Sequence, residues 1–274
     1  MQPFLLGADP EVFLQNPRTR QFISAHGIIK GTKEKPDKVA HGAHQVDGMA
    51  LEFNIDPANT REEFTKNIIK VKKSLERKVK RIAPHLSLAV VPVAHFTRKH
   101  MDETPDDAKI LGCEPDWNAY TQALNPAPNA STLMRTCAGH IHIGWTEDAD
   151  PLEFVHFQDC VTLTKALDNS LFLFSHLWDK DTTRRKLYGQ RGAFRPKSYG
   201  VEYRVLSNAW LKEKSLIDLV FNVITKLCND VDLLTNINHY GWRTDWNGRY
   251  QLRYFLHAFP EFEPLLSQTD YWPL

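Results

Sequence analysis

The stretch "GADPEVFL", residues 7–14, follows Phe4-Leu5-Leu6 and itself ends in Val12-Phe13-Leu14. The flanking apolar residues predict a buried strand. Asp9 and Glu11 interrupt that pattern two residues apart, and on a continuous strand they share one face. Like charges so close raise each other's pKa and cost stability unless something positive lies between them. A cation, a basic side chain and water are the candidates.

Three more pairs repeat the pattern. "LEFN" places Glu52 and Asn54 two apart, "HIHIG" places His140 and His142 two apart, and "VEYR" places Glu202 and Arg204 two apart. Period two sets each pair on one face of its strand. Leu51 and Phe53, Ile141 and Ile143, and Val201 and Tyr203 take the alternate positions. A sheet with one face on the core and the other lined by Asp, Glu, His, Asn and Arg is the simplest assembly. Hard oxygen ligands suit Mg²⁺, and imidazole beside carboxylates is also compatible with Mn²⁺ and leaves Zn²⁺ open.

Between these strands lies a long helix. Thr60 and Glu63 in "TREE" form a capping box. Phe64, Ile68, Val71, Leu75, Val79 and Ile82 then recur at helical spacing, and Pro84 ends the run. "QFISAHG" and "LSLAVVPVAHF" read as strands, residues 102–132 as a long polar loop with short helices, and "MRTCAGHIHIGW" as one strand. A buried helix is expected from Pro151 to about Leu177, and an amphipathic helix over residues 212–234. The tail from Thr235 has no clear pattern. Without regular β-α-β alternation the order of elements favours α+β, a largely antiparallel sheet with helices on one face, in a single domain over residues 1–274.

"RRKLYGQRGAFRPKSYG" reads as a basic, glycine-containing loop with Arg184, Arg185, Lys186, Arg191, Arg195 and Lys197, leading directly into the Glu202 strand. Arginine's planar fork suits phosphate oxygens. The chain has neither a P-loop nor GxGxxG, so the usual phosphate cradles are absent; an arginine cluster facing a carboxylate metal face is a way to hold a polyphosphate, and a solvated basic loop is the alternative.

Composition bounds the rest. The 274 residues carry 34 Lys and Arg against 33 Asp and Glu, which gives no support for a nucleic-acid footprint over the whole surface. No apolar run approaches a bilayer span, and "MQPFLLGADP" lacks a charged n-region and a small-residue cleavage site, so neither membrane insertion nor a signal peptide is expected. Cys113, Cys137, Cys160 and Cys228 show no zinc spacing and read as reduced thiols, consistent with a cytoplasmic location.

"GADPEVFL", "DGMALEFN", "GCEPDWNAY", "AGHIHIGW" and "RRKLYGQRGAFRPKSYGVEYRVLSNAWL" together resemble the phage-type carboxylate–amine ligases (COOH–NH2 ligase type 2), relatives of the glutamine synthetase and glutamate–cysteine ligase fold. The likeness runs over residues 7–211. It implies a curved antiparallel sheet around a funnel, with ATP and Mg²⁺ on the concave face, and ATP-dependent joining of an acid to an amine in a cytoplasm, the host's if the chain is phage-encoded. Residue by residue, it implies metal contacts for Asp9, Glu11, Glu52 and Glu202, and a metal or phosphate contact for His140 or His142. Arg195 and Arg204 resemble the arginines on the transferred phosphoryl group, with Asp47, Asn54, Arg185 and Tyr188 as weaker counterparts. The implied partners are small-molecule or peptide acids and amines. A metal-dependent hydrolase, or a non-catalytic nucleotide-binding or virion protein that kept the fold, are the alternatives.

Overall fold

A computed structural model describes residues 4–109, 116–126, 133–240 and 256–267. Its strands are β1 (Leu5–Ala8), β2 (Glu11–Gln15), β3 (Phe22–Ile23), β4 (Asp37–Val39), β5 (Gly42–Asp47), β6 (Ala50–Ile55), β7 (Ser87–Ala89), β8 (Val93–His95), β9 (Trp117–Asn118), β10 (Ala123–Leu124), β11 (Met134–Thr136), β12 (Ile141–Gly144), β13 (Ala193–Lys197) and β14 (Gly200–Tyr203). One sheet runs β1-β12-β14-β13-β9-β10 and a second runs β3-β2-β6-β5-β4, with β7 also paired to β2 and β8 paired to β11 alone. Every pairing is antiparallel. With the helices described below, this is the α+β class expected.

The sheets meet where "GADPEVFL" crosses between them. Pro10 has no N–H to give a ladder, and the chain turns there. β1 pairs with β12 in the first sheet and β2 with β6 in the second. The Glu11 amide donates to Ala138 O at 2.9 Å, and Phe53 N donates to Pro10 O at 3.2 Å, so the crossing is held from both sides. The expectation of one continuous strand carrying Asp9 and Glu11 is therefore corrected.

"MRTCAGHIHIGW" is also broken, because its two halves pair with different partners. β11 and β12 flank residues 137–140, where Ala138 bridges Ser207 and the Gly139 amide donates to Leu206 O at 2.9 Å. "LSLAVVPVAHF" splits at Pro92 into β7 and β8, on two different partners. The basic "loop" is a short helix, Thr183–Leu187, followed by β13, which forms a hairpin with β14. Of "QFISAHG", only Phe22 and Ile23 pair as a strand.

The apolar faces are covered by helices. Arg61–Ile82 is capped by Thr60, whose side chain accepts from Glu63 N, and it buries Phe64, Ile68, Val71, Leu75 and Val79. These residues pack on β5 and β6, and the helix Lys214–Asn229 packs beside them. Phe64 stacks on Trp210 with ring centroids 6.3 Å apart and meets Phe221 at 5.5 Å. Phe154–Leu167 packs on β13 and β14 and runs into a π-helical turn, Asp168–Phe172, within the segment expected as one buried helix. The amphipathic helix ends at Asn229, and a second helix, Val231–Tyr240, occupies the start of the unassigned tail. The rest of that tail, residues 241–255 and 268–274, lies outside the described residues, as do residues 112–115 of "GCEPDWNAY", Cys113 among them. Cys137, Cys160 and Cys228 are free and buried. Among the described residues no helix is long and apolar enough to cross a membrane.

Gly139 marks how tightly the crossing is packed. A Cβ there would sit 2.3 Å from Trp210 Nε1 and 2.5 Å from Ser207 O. Overpacking against backbone typically costs about 1–3 kcal/mol. Gly139→Ala is expected to lower stability by roughly 2 kcal/mol or more in denaturant titration; an unchanged midpoint would show that the crossing is loose.

Candidate functional site

On the first sheet, register builds a polar row. His142 lies opposite Gly7 on one side and Glu202 on the other, and Glu202 lies opposite Arg195. Arg204 and Lys197 share that face by period two. Glu202 is 2% exposed and takes ion pairs from Arg204, from Arg195 at 3.3 Å and from Lys197 at 3.5 Å. Burial alone would push the Glu202 carboxyl up; Arg204, His142, Arg195 and Lys197 outweigh burial and hold it down at about 2. Arg204 Nε also reaches Asp116 Oδ2 at 3.3 Å.

On the second sheet, Glu11 lies opposite Glu52, and Glu52 opposite Gln45. Asp47 joins them because β5 and β6 turn back through only Gly48 and Met49, with Gly48 at φ 56. Ligand oxygens of Glu11, Asp47 and Glu52 lie within 4.8 Å of one another. Their neutralisation is partial: Lys33 pairs with Asp47 at 3.0 Å, Gln45 Nε2 donates to Glu52 at 2.7 Å, the Ala138 amide donates to Glu11 at 2.8 Å, and Arg184 lowers the Glu11 pKa from across the cleft. Burial and then Asp47 push Glu11 up to about 7. Burial, then Asp9, Asp47 and Glu11, push Glu52 well above the ordinary carboxylate range.

Asp9 stands between the two groups. Its Oδ1 lies 3.0 Å from His142 Nε2 and 3.7 Å from His140 Nδ1, and it forms a second cluster with His142 and Glu202. Of the three carboxylates expected to act jointly, Asp9 groups most closely with His142 and Glu202, and Glu11 and Glu52 with Asp47, while Asp9 remains the strongest charge acting on Glu52 across the gap. The two histidines also part. His142 is raised because Asp9 and Glu202 outweigh the opposing effect of burial, whereas burial, Arg204 and Arg184 drive His140 well below its usual value.

Both clusters suit a hard divalent cation. One offers three carboxylates and the other two carboxylates and an imidazole. Gln45 Oε1 and Asn54 Oδ1, on the same face as Glu52, are buried without a hydrogen-bond donor. An electron-rich pocket with orphaned oxygen acceptors is what such a cation requires.

Two clefts open onto this face. One, of about 440 Å³, has Asp9, Asn54, Pro57, His142, Trp145 and Tyr199 in its walls. The other contains Glu11, Asp47, Asp116, His140, Tyr188 and Arg204. Arg185 reaches neither cleft: it is held by Ser175, His176 and Asp179. Its neighbour Arg184 turns inward instead, buried, donating to Val205 O at 2.7 Å and lining the second cleft. Gly189, at φ 65, makes room for that guanidinium. Arg184 and Lys197 were named in sequence only as members of the basic run, and Asp116 and Tyr199 carried no role there; the sheet register and the Thr183–Leu187 helix bring them to the site.

The class defined by this geometry is an α+β protein with a strongly acidic, arginine-flanked sheet face. Residues 134–240 match the family model described as phage phiEco32-like COOH.NH2 ligase-type 2, so the resemblance read from the motifs is borne out over that stretch. It contains His140, His142, Arg195, Glu202 and Arg204, while Asp9, Glu11, Asp47 and Glu52 precede it. No curated protein matches the chain. Among solved structures, a novel glutamine synthase homolog is similar at 12% identity and TM-score 0.43, covering 96% of this chain and 64% of that one. A bifunctional glutathione synthetase from Pasteurella multocida is similar at 11% identity and TM-score 0.43, covering 97% of this chain and 46% of that one. The chain therefore spans less than two thirds of either protein's length.

The opposite pKa shifts of the two clusters have opposite consequences. Glu11 binds its proton more tightly folded than unfolded, so its contribution to stability falls as pH rises from about 4.5 to about 7, by on the order of 3 kcal/mol without a cation. Glu202 is the reverse: its contribution is present above the ordinary range and is lost as pH falls toward 2. At pH 8 without divalent cation, Glu52→Gln is expected to melt above the wild type, because one buried like charge is gone. Added Mg²⁺ or Mn²⁺ should raise the wild-type melting temperature by more than that of the variant, which keeps only the Asp9–His142–Glu202 cluster. Equal stabilisation of both proteins would remove the cation from the Glu11–Asp47–Glu52 cluster. Glu202→Gln should instead destabilise by about 3 kcal/mol, because it strands buried cations; unchanged thermal stability would show that those ion pairs carry no weight.

Proposed function

We propose that the chain is an ATP- and Mg²⁺-dependent carboxylate–amine ligase that forms an amide through an acyl phosphate and releases ADP and phosphate. The observation that carries this reading is the adjacency, along one sheet face, of a carboxylate cluster short of positive charge and a glutamate ringed by Arg195, Lys197 and Arg204. The family match over residues 134–240 supports it.

A carboxylate does not condense with an amine unaided, because its oxyanion leaves poorly. In the proposed reaction a carboxylate oxygen of the acid attacks the terminal phosphorus of ATP, and the bond to the ADP oxygen breaks. The amine then attacks the acyl carbon, phosphate leaves with the bond electrons, and the amine loses a proton. Glu11, Asp47 and Glu52 would hold one divalent cation, and Asp9, His142 and Glu202 a second. Such cations, when bound, supply charge neutralisation for the triphosphate. Arg195 and Arg204 would steady the moving phosphoryl group, which is chiefly electrostatic work.

The two clefts suit a division of labour. The larger, with Trp145 in its wall, would take the nucleotide. The other, with Arg184, Tyr188 and Arg204, would take the acid and the amine, small molecules or a peptide end.

Incubation with ATP, Mg²⁺ and acid and amine pools tests the reaction. ADP is expected to accumulate in step with product, and oxygen-18 from the acid to appear in the released phosphate. AMP as product, or label in AMP, would overturn the reading. Arg195→Lys is expected to slow turnover by about a hundredfold, since one well-placed transition-state donor is worth roughly 3 kcal/mol. Wild-type turnover in that variant would take Arg195 out of the reaction.

A further inference from the structure

We propose that Tyr199 is a positioning residue: its hydroxyl accepts the Nδ1 proton of His142 and so presents the Nε2 lone pair to a cation in the Asp9–His142–Glu202 cluster. This inference rests on the cation reading above and extends it to a residue outside the cluster.

The geometry is specific. His142 uses both ring nitrogens: Nε2 faces Asp9 Oδ1 at 3.0 Å, and Nδ1 lies 2.5 Å from the Tyr199 hydroxyl. An imidazole ligates through a nitrogen that carries no proton. For Nε2 to serve, the proton of the neutral ring must sit on Nδ1, and something there must accept it. The tyrosine hydroxyl is the group placed to do so. In the opposite tautomer the hydroxyl donates to Nδ1, the proton sits on Nε2 toward Asp9, and no lone pair faces the cluster. A hydroxyl is both donor and acceptor, so Tyr199 supports either tautomer. A phenylalanine could not accept, and an Nδ1 proton would then be left without a partner, which favours the non-ligating form.

The tyrosine is also firmly presented. It sits in the β13–β14 hairpin turn, where its carbonyl accepts from Trp145 N at 2.9 Å and Thr146 N at 3.2 Å, and Ser198 O accepts from Ala149 N at 3.0 Å. Gly200 closes the turn at φ 148, with no room for a Cβ against Ile143 O. The turn is thus fastened to the segment that follows β12, the strand carrying His142. Groups that hold a metal-binding histidine through its other nitrogen typically change metal affinity 10- to 100-fold when removed.

The test is a Mn²⁺ titration of the full chain without nucleotide, followed by the electron paramagnetic resonance of the free ion. Wild type, Tyr199→Phe, His142→Ala and the double variant are compared. Tyr199→Phe keeps the ring and removes only the hydroxyl. It is expected to weaken one class of Mn²⁺ site about 10- to 100-fold and to leave the other class unchanged. In the His142→Ala background it should cause no further loss, because its effect runs through that imidazole. Unchanged Mn²⁺ affinity in Tyr199→Phe, or an equal additional loss without His142, would overturn the inference while leaving the cation sites standing. Absence of Mn²⁺ binding by the wild type would overturn the cation reading itself, and this inference with it.

Discussion

Within the three residues Asp9, Pro10 and Glu11 the chain leaves one sheet and enters another, and the arrangement of the site depends on that crossing. A proline without an N–H ends the first ladder, and the Glu11 amide and carboxylate both engage Ala138 across the gap. Asn208 Nδ2 donates to Glu11 O at 2.9 Å from a third direction. Two sheets whose apolar faces are covered by helices are thereby joined at their polar faces. Carboxylates from β2, β5 and β6 come to lie beside a histidine from β12 and a glutamate from β14.

The two clusters so formed are electrostatic opposites. Around Glu202 the positive charge is abundant: Arg195, Lys197 and Arg204 all reach it. Around Glu11 and Glu52 it is scarce, and the carboxyls respond by holding protons above their usual range. A buried set of like charges is retained in a stable fold only at a cost, and a bound cation is the simplest way to remove that cost. The same asymmetry gives direction to the site. A polyanion laid across the face would meet guanidinium and ammonium groups at one end and, at the other, carboxylates that need a bridging cation.

Much of this was legible in the sequence because it depends on local periodicity. The helix Arg61–Ile82 announces itself through its cap at Thr60 and its apolar spacing. The polar face announces itself through four pairs of chemistry-bearing residues at period two. What depends on register and long-range pairing was hidden. Asp9 and Glu11 part at Pro10, and their destinations are set by β12 and β6, far along the chain. Asp47 is a turn residue by sequence and becomes a cluster member because the hairpin loop is only Gly48 and Met49. Arg184 and Arg185 are indistinguishable in a basic run, and the Thr183–Leu187 helix decides which one turns inward. Tyr199 looks like a turn aromatic until β13 and β14 are folded back on β12.

The central claim is that this face holds divalent cations in two clusters divided by the crossing. Anomalous diffraction from crystals of the chain grown with Mn²⁺ and a non-hydrolysable ATP analogue tests it most directly. The account predicts one peak among Glu11, Asp47 and Glu52 and another among Asp9, His142 and Glu202. Mn²⁺ found only away from both clusters, with the carboxylates unchanged, would contradict it.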